Sequence, residues 1–114
     1  RVNQAVKDHD MGLATSASAS AGAVNRGIEI PGNMVIGVYR NDFAVRMLEA
    51  SIPAGIEAPI RFYITEERGD TAALRYYKPA DVFAPYVGGG KKLNELAREL
   101  DKIFAAIADQ ATGQ

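Results

Sequence analysis

The sequence predicts a single small α+β domain. Three observations indicate this class: a chain of only 114 residues, a segment with the two-residue alternation of a β-hairpin, and a long amphipathic segment with helical spacing after it. A chain of this length buries roughly two thirds of its unfolded surface around one core. Its content of 47% hydrophobic and 24% charged residues is that of an ordinary globular protein. We therefore expect one domain over residues 1–114.

The first segment predicts a helix and then a stretch of small residues. From Arg1 to His9 apolar residues recur at helical spacing, and we predict that Gly12 caps this helix in the left-handed conformation. From Leu13 to Ala23 alanine alternates with serine and threonine. This stretch is either a strand, which we favour inside a compact domain, or a low-complexity linker.

The middle of the chain contains the predicted central strand. Met34 to Tyr39 is apolar without interruption, which is typical of a strand that is buried on both faces. Asn41 or Asp42 can accept backbone N–H bonds as the N-cap of the helix that follows, and we expect this helix to end near Ser51, ahead of Pro53. Its apolar stripe consists of Phe43, Met47 and Ala50, with Ala44 and Leu48 beside them.

A hairpin follows. Between residues 60 and 65 isoleucine and phenylalanine alternate with polar residues, and the strand pattern resumes from Ala72 to Lys78 after the turn residues Glu66 to Asp70. Pro79 suits the first turn of a short helix that ends at Phe83.

The last segment predicts a hinge and a long helix. Val87 to Gly90 contains three consecutive glycines, and we expect a flexible hinge there. The helix should run from Leu93 to about Ala108 and pack on the sheet. Its apolar face consists of Leu93, Leu96, Ala97, Leu100, Ile103, Phe104 and Ile107.

Charge and cysteine content exclude several classes of function. The formal net charge of −1 gives no broad attraction for a polyanion, so we expect no nucleic-acid partner. The apolar runs are far shorter than the roughly 20 residues that cross a bilayer, so we expect no membrane span. The absence of cysteine removes disulfides, thiolate nucleophiles and cysteine-held metals or haem.

Three stretches of the chain have a familiar order and spacing. They are Gly27-Ile28-Glu29-Ile30 leading into the apolar strand, Asn41 at the start of the next helix, and Ile56-Glu57-Ala58-Pro59 before the hairpin, which is followed by Tyr77-Lys78-Pro79. In this arrangement the chain resembles the bacterial domain-of-unknown-function family number 302.

The resemblance implies a fold and an assembly. The implied fold is an antiparallel sheet with two main helices packed on one face, in the β-α-β-β-β-β-α order of the TATA-binding-protein-like fold, and its first strand would lie upstream of Arg1. The implied assembly is a homodimer. Two departures weaken the transfer of any chemistry: Ser18-Ala19-Ser20 stands where many relatives carry Asp-His, and Asp42 follows Asn41 where the family has proline.

The most suggestive group of side chains lies on the predicted hairpin. Arg61, Tyr63, Arg75 and Tyr77 alternate onto one face, which the helices need not cover. Such a surface could stack a flat ligand or a nucleobase, or it could be a dimer interface rich in tyrosine and arginine. It could also be a solvated face with ordinary cross-strand pairs.

Two weaker candidates lie elsewhere. Arg40 and Asn41 at a helix start could bind an anion, although a helix cap beside a surface arginine explains them equally. His9, the only histidine, could ligate a metal together with Met11. The alternatives are a half-buried histidine at a helix end and a methionine that fills the core. No specific cofactor is indicated.

Function is predicted only by class. The sequence contains no nucleophile with a base, no paired acid and base and no metal-binding motif, so we expect a non-enzymatic, dimeric binding or interaction module. The alternative is a protein that binds a small ligand, a metal or haem, and an enzyme is least favoured. The lack of cysteine and a start inside a predicted helix are compatible with an exported protein, so we expect a periplasmic or secreted location, with the cytoplasm as the alternative.

Overall fold

An antiparallel sheet of four strands forms the centre of the protein in a computed structural model that describes residues 1–113. The strands are β1 (Gly12–Ala17), β2 (Asn33–Tyr39), β3 (Ile60–Glu66) and β4 (Ala72–Tyr76), and they neighbour one another in chain order. The helices are α1 (Val2–Asp8), α2 (Ala19–Asn25), α3 (Asn41–Ala50), α4 (Pro79–Phe83) and α5 (Gly90–Thr112). Two 3₁₀ helices cover Pro53–Glu57 and Val87–Gly89.

This architecture confirms the α+β class and the antiparallel sheet. The helix α3 lies between β2 and β3, a position that has no helix in the implied β-α-β-β-β-β-α order. Within residues 1–113 no helix has both the length and the apolarity that a bilayer crossing requires.

The turn between α1 and β1 differs from the prediction. The left-handed residue is Asp10, with φ of 58°, whereas Gly12 is already the first residue of β1. The backbone N–H groups of Asp10 and Met11 bond to the carbonyls of Lys7 and Val6 at 3.0 Å, which satisfies the end of α1 two residues earlier than predicted. Aspartate is one of the few residue types besides glycine that tolerate this conformation. The predicted cap at Gly12 is therefore wrong.

The small-residue stretch divides into two elements. Its first part is strand β1, as predicted, but the strand prediction is wrong from Ala19 onward, where the chain forms α2. Ser18 is the N-cap, because its hydroxyl accepts a hydrogen bond from the backbone N–H of Ala21 at 3.1 Å. The hydroxyls of Ser18 and Ser20 also donate to the backbone carbonyl of Asn33, which ties α2 to the start of β2.

Strand β2 lies between β1 and β3, which confirms its prediction as a central strand. The expected burial holds only from Ile36 to Val38, whereas Met34 and Tyr39 are exposed. The helix α3 that follows buries Phe43 and Met47 and has Ser51 at its C-cap, as predicted. The predicted N-cap is wrong: Arg40 holds that position without a side-chain cap bond, and Asn41 is the first helical residue.

Three aromatic rings join the sheet to α5. Phe62 in β3 stacks on Phe104 in α5 with ring centroids 4.9 Å apart, and Tyr76 in β4 lies 5.1 Å from Phe62. Ile36, Phe62 and Tyr76 are opposite one another across three strands. The predicted face of α5 is confirmed, since Leu93, Leu96, Ala97, Leu100, Phe104 and Ile107 are buried and Ile103 packs at the edge of the core.

The helices α1, α3 and α4 pack against α5, whereas α2 contacts β2. At one end the side-chain amide of Gln110 donates to Asp8 of α1 at 2.6 Å. At the other end Asp101 accepts a hydrogen bond from the backbone N–H of Ala80 at 2.9 Å, so a residue of α5 caps the short helix α4.

A 3₁₀ turn stands where the sequence predicts a hinge. Gly89 in this turn is buried against Leu93, and α5 begins at Gly90, three residues earlier than predicted. Gly90 has φ of 60° and ψ of −149°, a conformation that is essentially restricted to glycine. Gly89 is thus packed against the core, and Gly90 directs the chain into α5.

Candidate functional site

The sheet surface opposite α5 carries the side chains that the sequence singled out. Tyr63 lies opposite Val35 on one side and Arg75 on the other, and Arg61 lies opposite Gly37. Because side chains alternate along a strand, these residues project away from the row that packs on α5. We call this surface the open face.

The open face contains a shallow hollow of about 370 Å³. It is lined by Val35, Arg61, Tyr63, Arg75, Tyr76 and Tyr77. We call it the open-face hollow. Tyr77, directly after β4, has 78% of its surface exposed. The structure therefore brings together all four residues that the sequence predicted on this face.

The two arginines of the hollow have different surroundings. Arg75 donates to the hydroxyl of Thr65 at 2.9 Å and lies 3.4 Å from a carboxylate oxygen of Glu67. Arg61 makes no ion pair and no side-chain hydrogen bond to any other residue between 1 and 113. Its guanidinium therefore keeps its N–H donors available for a bound group.

Tyr63 is held in place from the neighbouring strand. The side-chain amide of Asn33 donates a hydrogen bond to the hydroxyl of Tyr63. Since the hydroxyl is fixed at the far end of the ring, the ring itself is positioned over the sheet beside Val35. An aromatic side chain with a fixed orientation is a suitable surface for stacking.

A second hollow of about 250 Å³ adjoins the first and shares Arg61 and Tyr77 with it. Its other lining includes the carboxylates of Glu57 and Asp81. Glu57 accepts a hydrogen bond from the hydroxyl of Tyr86, and this bond raises the pKa of Tyr86. The negative charges on this side limit how much anionic charge the neighbouring open-face hollow can hold.

Arg40 and Asn41 are engaged within the protein. The guanidinium of Arg40 makes two hydrogen bonds to Asp42, at 2.6 and 3.1 Å, and lies 4.1 Å from the centre of the Phe43 ring. The first of these bonds lowers the pKa of Asp42. Asn41 donates to the hydroxyl of Tyr39 at 2.9 Å. The donors that the predicted anion site would need already have partners, so the geometry gives that prediction no support.

His9 and Met11 do not form a metal centre with other residues. His9 is half-buried at the end of α1, and Met11 belongs to the apolar core with 6% of its surface exposed. Across residues 1–113 no three histidine, aspartate or glutamate side chains cluster as metal ligands. The void beside Met11 measures about 30 Å³, which is far too small for haem.

An ion pair between α3 and α5 gives a testable pH dependence. Arg46 donates to Glu99 and lowers the pKa of that carboxyl below its ordinary value. A carboxyl with a lowered pKa stabilises the fold above its unfolded pKa, and this contribution is lost as the pH falls through the folded pKa. We expect Glu99→Gln to cost less than about 1 kcal/mol at neutral pH, because the pair is exposed.

The difference between Glu99→Gln and the wild type should shrink as the pH is lowered below the ordinary carboxyl range, as measured by urea denaturation across pH. Glu49→Gln is the matched control, since Glu49 is an exposed residue of α3 without an ion pair in residues 1–113. A difference that stays constant down to acid pH would contradict this assignment.

Sequence reasoning missed three residues of the site. Val35 forms the floor of the hollow, and Thr65 and Glu67 hold Arg75. The two-residue alternation of β3 could have placed Thr65 on the same face as Tyr63. The position of Glu67 just beyond the strand offered no such signal, because turn residues do not follow the alternation.

Comparison with known proteins identifies the family. The model of the family "Domain of unknown function DUF302" matches residues 1–111. No curated protein matches the chain. The crystal structure of an uncharacterized conserved DUF302 protein from Bacillus stearothermophilus aligns with a TM-score of 0.80 over 96% of this chain and 84% of that one, at 20% identity. At that identity the likeness shows the fold alone, and it is the family match that establishes that the chain belongs to the DUF302 family.

Proposed function

We propose that this chain is a non-enzymatic binding module that acts as a homodimer, with two copies paired along the free edge of β1. The proposal is supported by the exposure, the composition and the edge position of β1. All six residues of β1 are exposed, none is charged, and β1 is an outer strand of the sheet. An outer strand presents unpaired backbone N–H and C=O groups, which are a template for pairing with another strand.

The opposite edge of the sheet is protected against such pairing. β4 carries the charged side chain of Arg75, and Tyr76 leans into the aromatic contact with Phe104. Charged side chains on an edge strand are a common device that prevents association. β1 carries no charged side chain, although its pairing with β2 is irregular between Leu13 and Thr15. The difference in charge favours β1 over β4 as the contact.

Pairing of β1 with itself is compatible with its composition. In a twofold interface the same patch of both copies meets, so any charge on that patch would be present twice in the contact. β1 contains only Gly12, Leu13, Ala14, Thr15, Ser16 and Ala17. No repulsion between like charges arises along its length.

A dimer that used the open face would be less favourable. It would place Arg61 and Arg75 of both copies in one contact, where Glu67 is the carboxylate that pairs with Arg75 in each copy. Antiparallel pairing of β1 instead places the twofold axis perpendicular to the sheet. Both open faces then lie on the same side of one continuous sheet and are free to bind a partner or ligand.

The test is the oligomeric state of edge variants, measured by light scattering after size exclusion at several concentrations. We expect the wild type to have twice the 12.2 kDa mass of one chain. Ser16→Lys in β1 should weaken the dimer at least about tenfold, because it adds one cation from each copy to a desolvated contact. Ala72→Lys in β4 is the matched control, another exposed edge position, and should remain dimeric.

Two outcomes would count against the proposal. A wild-type protein that is monomeric at all concentrations would overturn it. A Ser16→Lys variant that dimerises as strongly as the wild type would place the interface elsewhere. Circular dichroism of each variant separates a lost dimer from a lost fold.

A second candidate function is the binding of a small molecule. One observation favours it: Arg61, which has no ion-pair partner among residues 1–113, stands beside two exposed tyrosines in a hollow of about 370 Å³. Small-molecule sites are typically about 300–1,000 Å³ and combine apolar walls with a few polar groups. The two functions are compatible, since β1 and the open-face hollow use different residues.

A further inference from the structure

We infer that the open-face hollow binds a flat aromatic molecule that carries a single negative charge, such as an aromatic carboxylate. Arg61 takes the anionic group, and Tyr63 and Tyr77 contact the ring. This inference rests on the proposed binding role of the open face but does not require the β1 dimer.

The charge of the ligand follows from the two arginines. Arg75 already has Thr65 and Glu67 as partners, so its charge is largely compensated. Arg61 has no partner in residues 1–113 and therefore supplies one uncompensated positive charge to the hollow. A guanidinium presents parallel N–H donors that match the two oxygens of a carboxylate.

The limit to one negative charge follows from the neighbouring carboxylates. Glu67 lies on the Arg75 side of the hollow, and Asp81 and Glu57 line the adjoining hollow beside Arg61. A ligand with two or more negative charges would approach these carboxylates with only one free arginine to compensate. A monoanion meets Arg61 without this repulsion.

The aromatic character of the ligand follows from the remaining lining. Tyr63 is held by Asn33 beside the apolar side chain of Val35, and the exposed Tyr77 lines the same hollow. Tyrosine rings gain most from contact with another flat ring, and stacking on an aromatic side chain tolerates many ring types. The hollow is large enough for one or two fused rings with a carboxylate.

The experiment compares two probes of equal shape and different charge by ¹H–¹⁵N NMR titration. The probes are 1-naphthoate, an anion, and 1-naphthamide, which is neutral. We expect naphthoate to bind the wild type about tenfold more tightly, since a hydrogen bond to a charged group adds at least this much. The largest shifts should fall on the amides of Val35, Tyr63 and Tyr77.

Variants identify the side chain that binds the anionic group of the probe. Arg61→Gln should bind both probes with the same weak affinity, because it removes the cation and keeps a polar side chain. Arg68→Gln is the matched control, an exposed arginine in the hairpin turn that does not line the hollow, and should keep the tenfold preference. Adenosine 5′-monophosphate, an aromatic compound with a doubly charged phosphate, should bind more weakly than naphthoate.

Each other outcome would overturn the inference. Equal binding of both probes to the wild type, an undiminished preference in Arg61→Gln, or shifts confined to other surfaces would show that Arg61 does not receive the anion. If the nucleotide bound more tightly than naphthoate, the hollow would prefer a doubly charged phosphate to a monoanion. Titration of the Ser16→Lys variant separates the two proposals, since naphthoate should still bind when the dimer is lost.

Discussion

Phe104→Ala is expected to lower the free energy of unfolding by about 3–5 kcal/mol. Phe104 has 1% of its surface exposed, and its ring contacts both Phe62 and Tyr76 on the sheet. Truncation removes the aromatic contact and leaves a cavity between α5 and the strands. Since domains of this size are stable by only about 5–15 kcal/mol, the variant should be largely unfolded at modest urea concentrations. Urea denaturation followed by circular dichroism measures the loss.

Two further variants show whether the loss comes from this contact. Phe104→Leu fills part of the volume without an aromatic ring and should cost clearly less than the alanine variant. Lys102→Ala, on the exposed side of the same helix, should change stability by no more than about 0.5 kcal/mol. A loss below about 1 kcal/mol for Phe104→Ala would contradict the packing described for α5.

Gly89→Ala is expected to destabilise the protein by about 1–3 kcal/mol, because there is no room for the added methyl group. A Cβ at this position would lie 2.5 Å from Cδ2 and 2.7 Å from Cβ of Leu93. Leu93 is 1% exposed and packed in the core, so its side chain has no free space to occupy instead. The start of α5 would have to shift. Thermal unfolding of the variant and the wild type measures the effect.

The preceding glycine provides the matched control. A Cβ at Gly88 would meet nothing within 4 Å, and Gly88→Ala removes flexibility only from the unfolded chain. We expect this variant to match the wild type or to be more stable by up to about 1 kcal/mol. If both glycines tolerate alanine equally, the segment behaves as the hinge that the sequence predicts and not as a packed turn.

The elements with strong periodicity could be predicted from the sequence. The hairpin and α5 repeat their apolar residues over many positions, so local pattern and final burial agree. The uninterrupted apolar run of β2 likewise indicated a strand between two neighbours. In the hairpin and α5 the place of most apolar residues in the core follows from their spacing, whereas the run in β2 does not show that Val35 faces outward.

The elements that were predicted wrongly depend on distant contacts or on weak local preferences. Alanine and serine alternate equally well in a strand and in a helix, and α2 is decided by the cap at Ser18 and by its bonds to Asn33 fifteen positions away. The end of α1 is set by a left-handed aspartate, which competes with a nearby glycine for the same role. Neither choice is visible in a short window of sequence.

The sequence predicted which residues form the candidate site, but it did not predict which of its charged groups pair with each other. The two-residue alternation places Arg61 and Tyr63 on one face of β3, and the register of the hairpin adds Arg75 by setting it opposite Tyr63. The same register decides which arginine is paired, because it brings Thr65 and Glu67 within reach of Arg75, while Arg61 has no ion-pair partner in the described part of the chain. The exposure of β1 depends on the order of strands, which no single segment encodes.

The position of α5 in the chain bears on how the protein is made. All four strands precede α5, yet α5 supplies the cover for Ile36, Phe62 and Tyr76. When the hairpin has emerged from the ribosome and α5 has not, the apolar side of the sheet is therefore still exposed to water, and the β1 edge is unpaired. Such a nascent chain is a target for chaperones and is prone to aggregate, and it becomes a stable domain only when the last helix has left the ribosome.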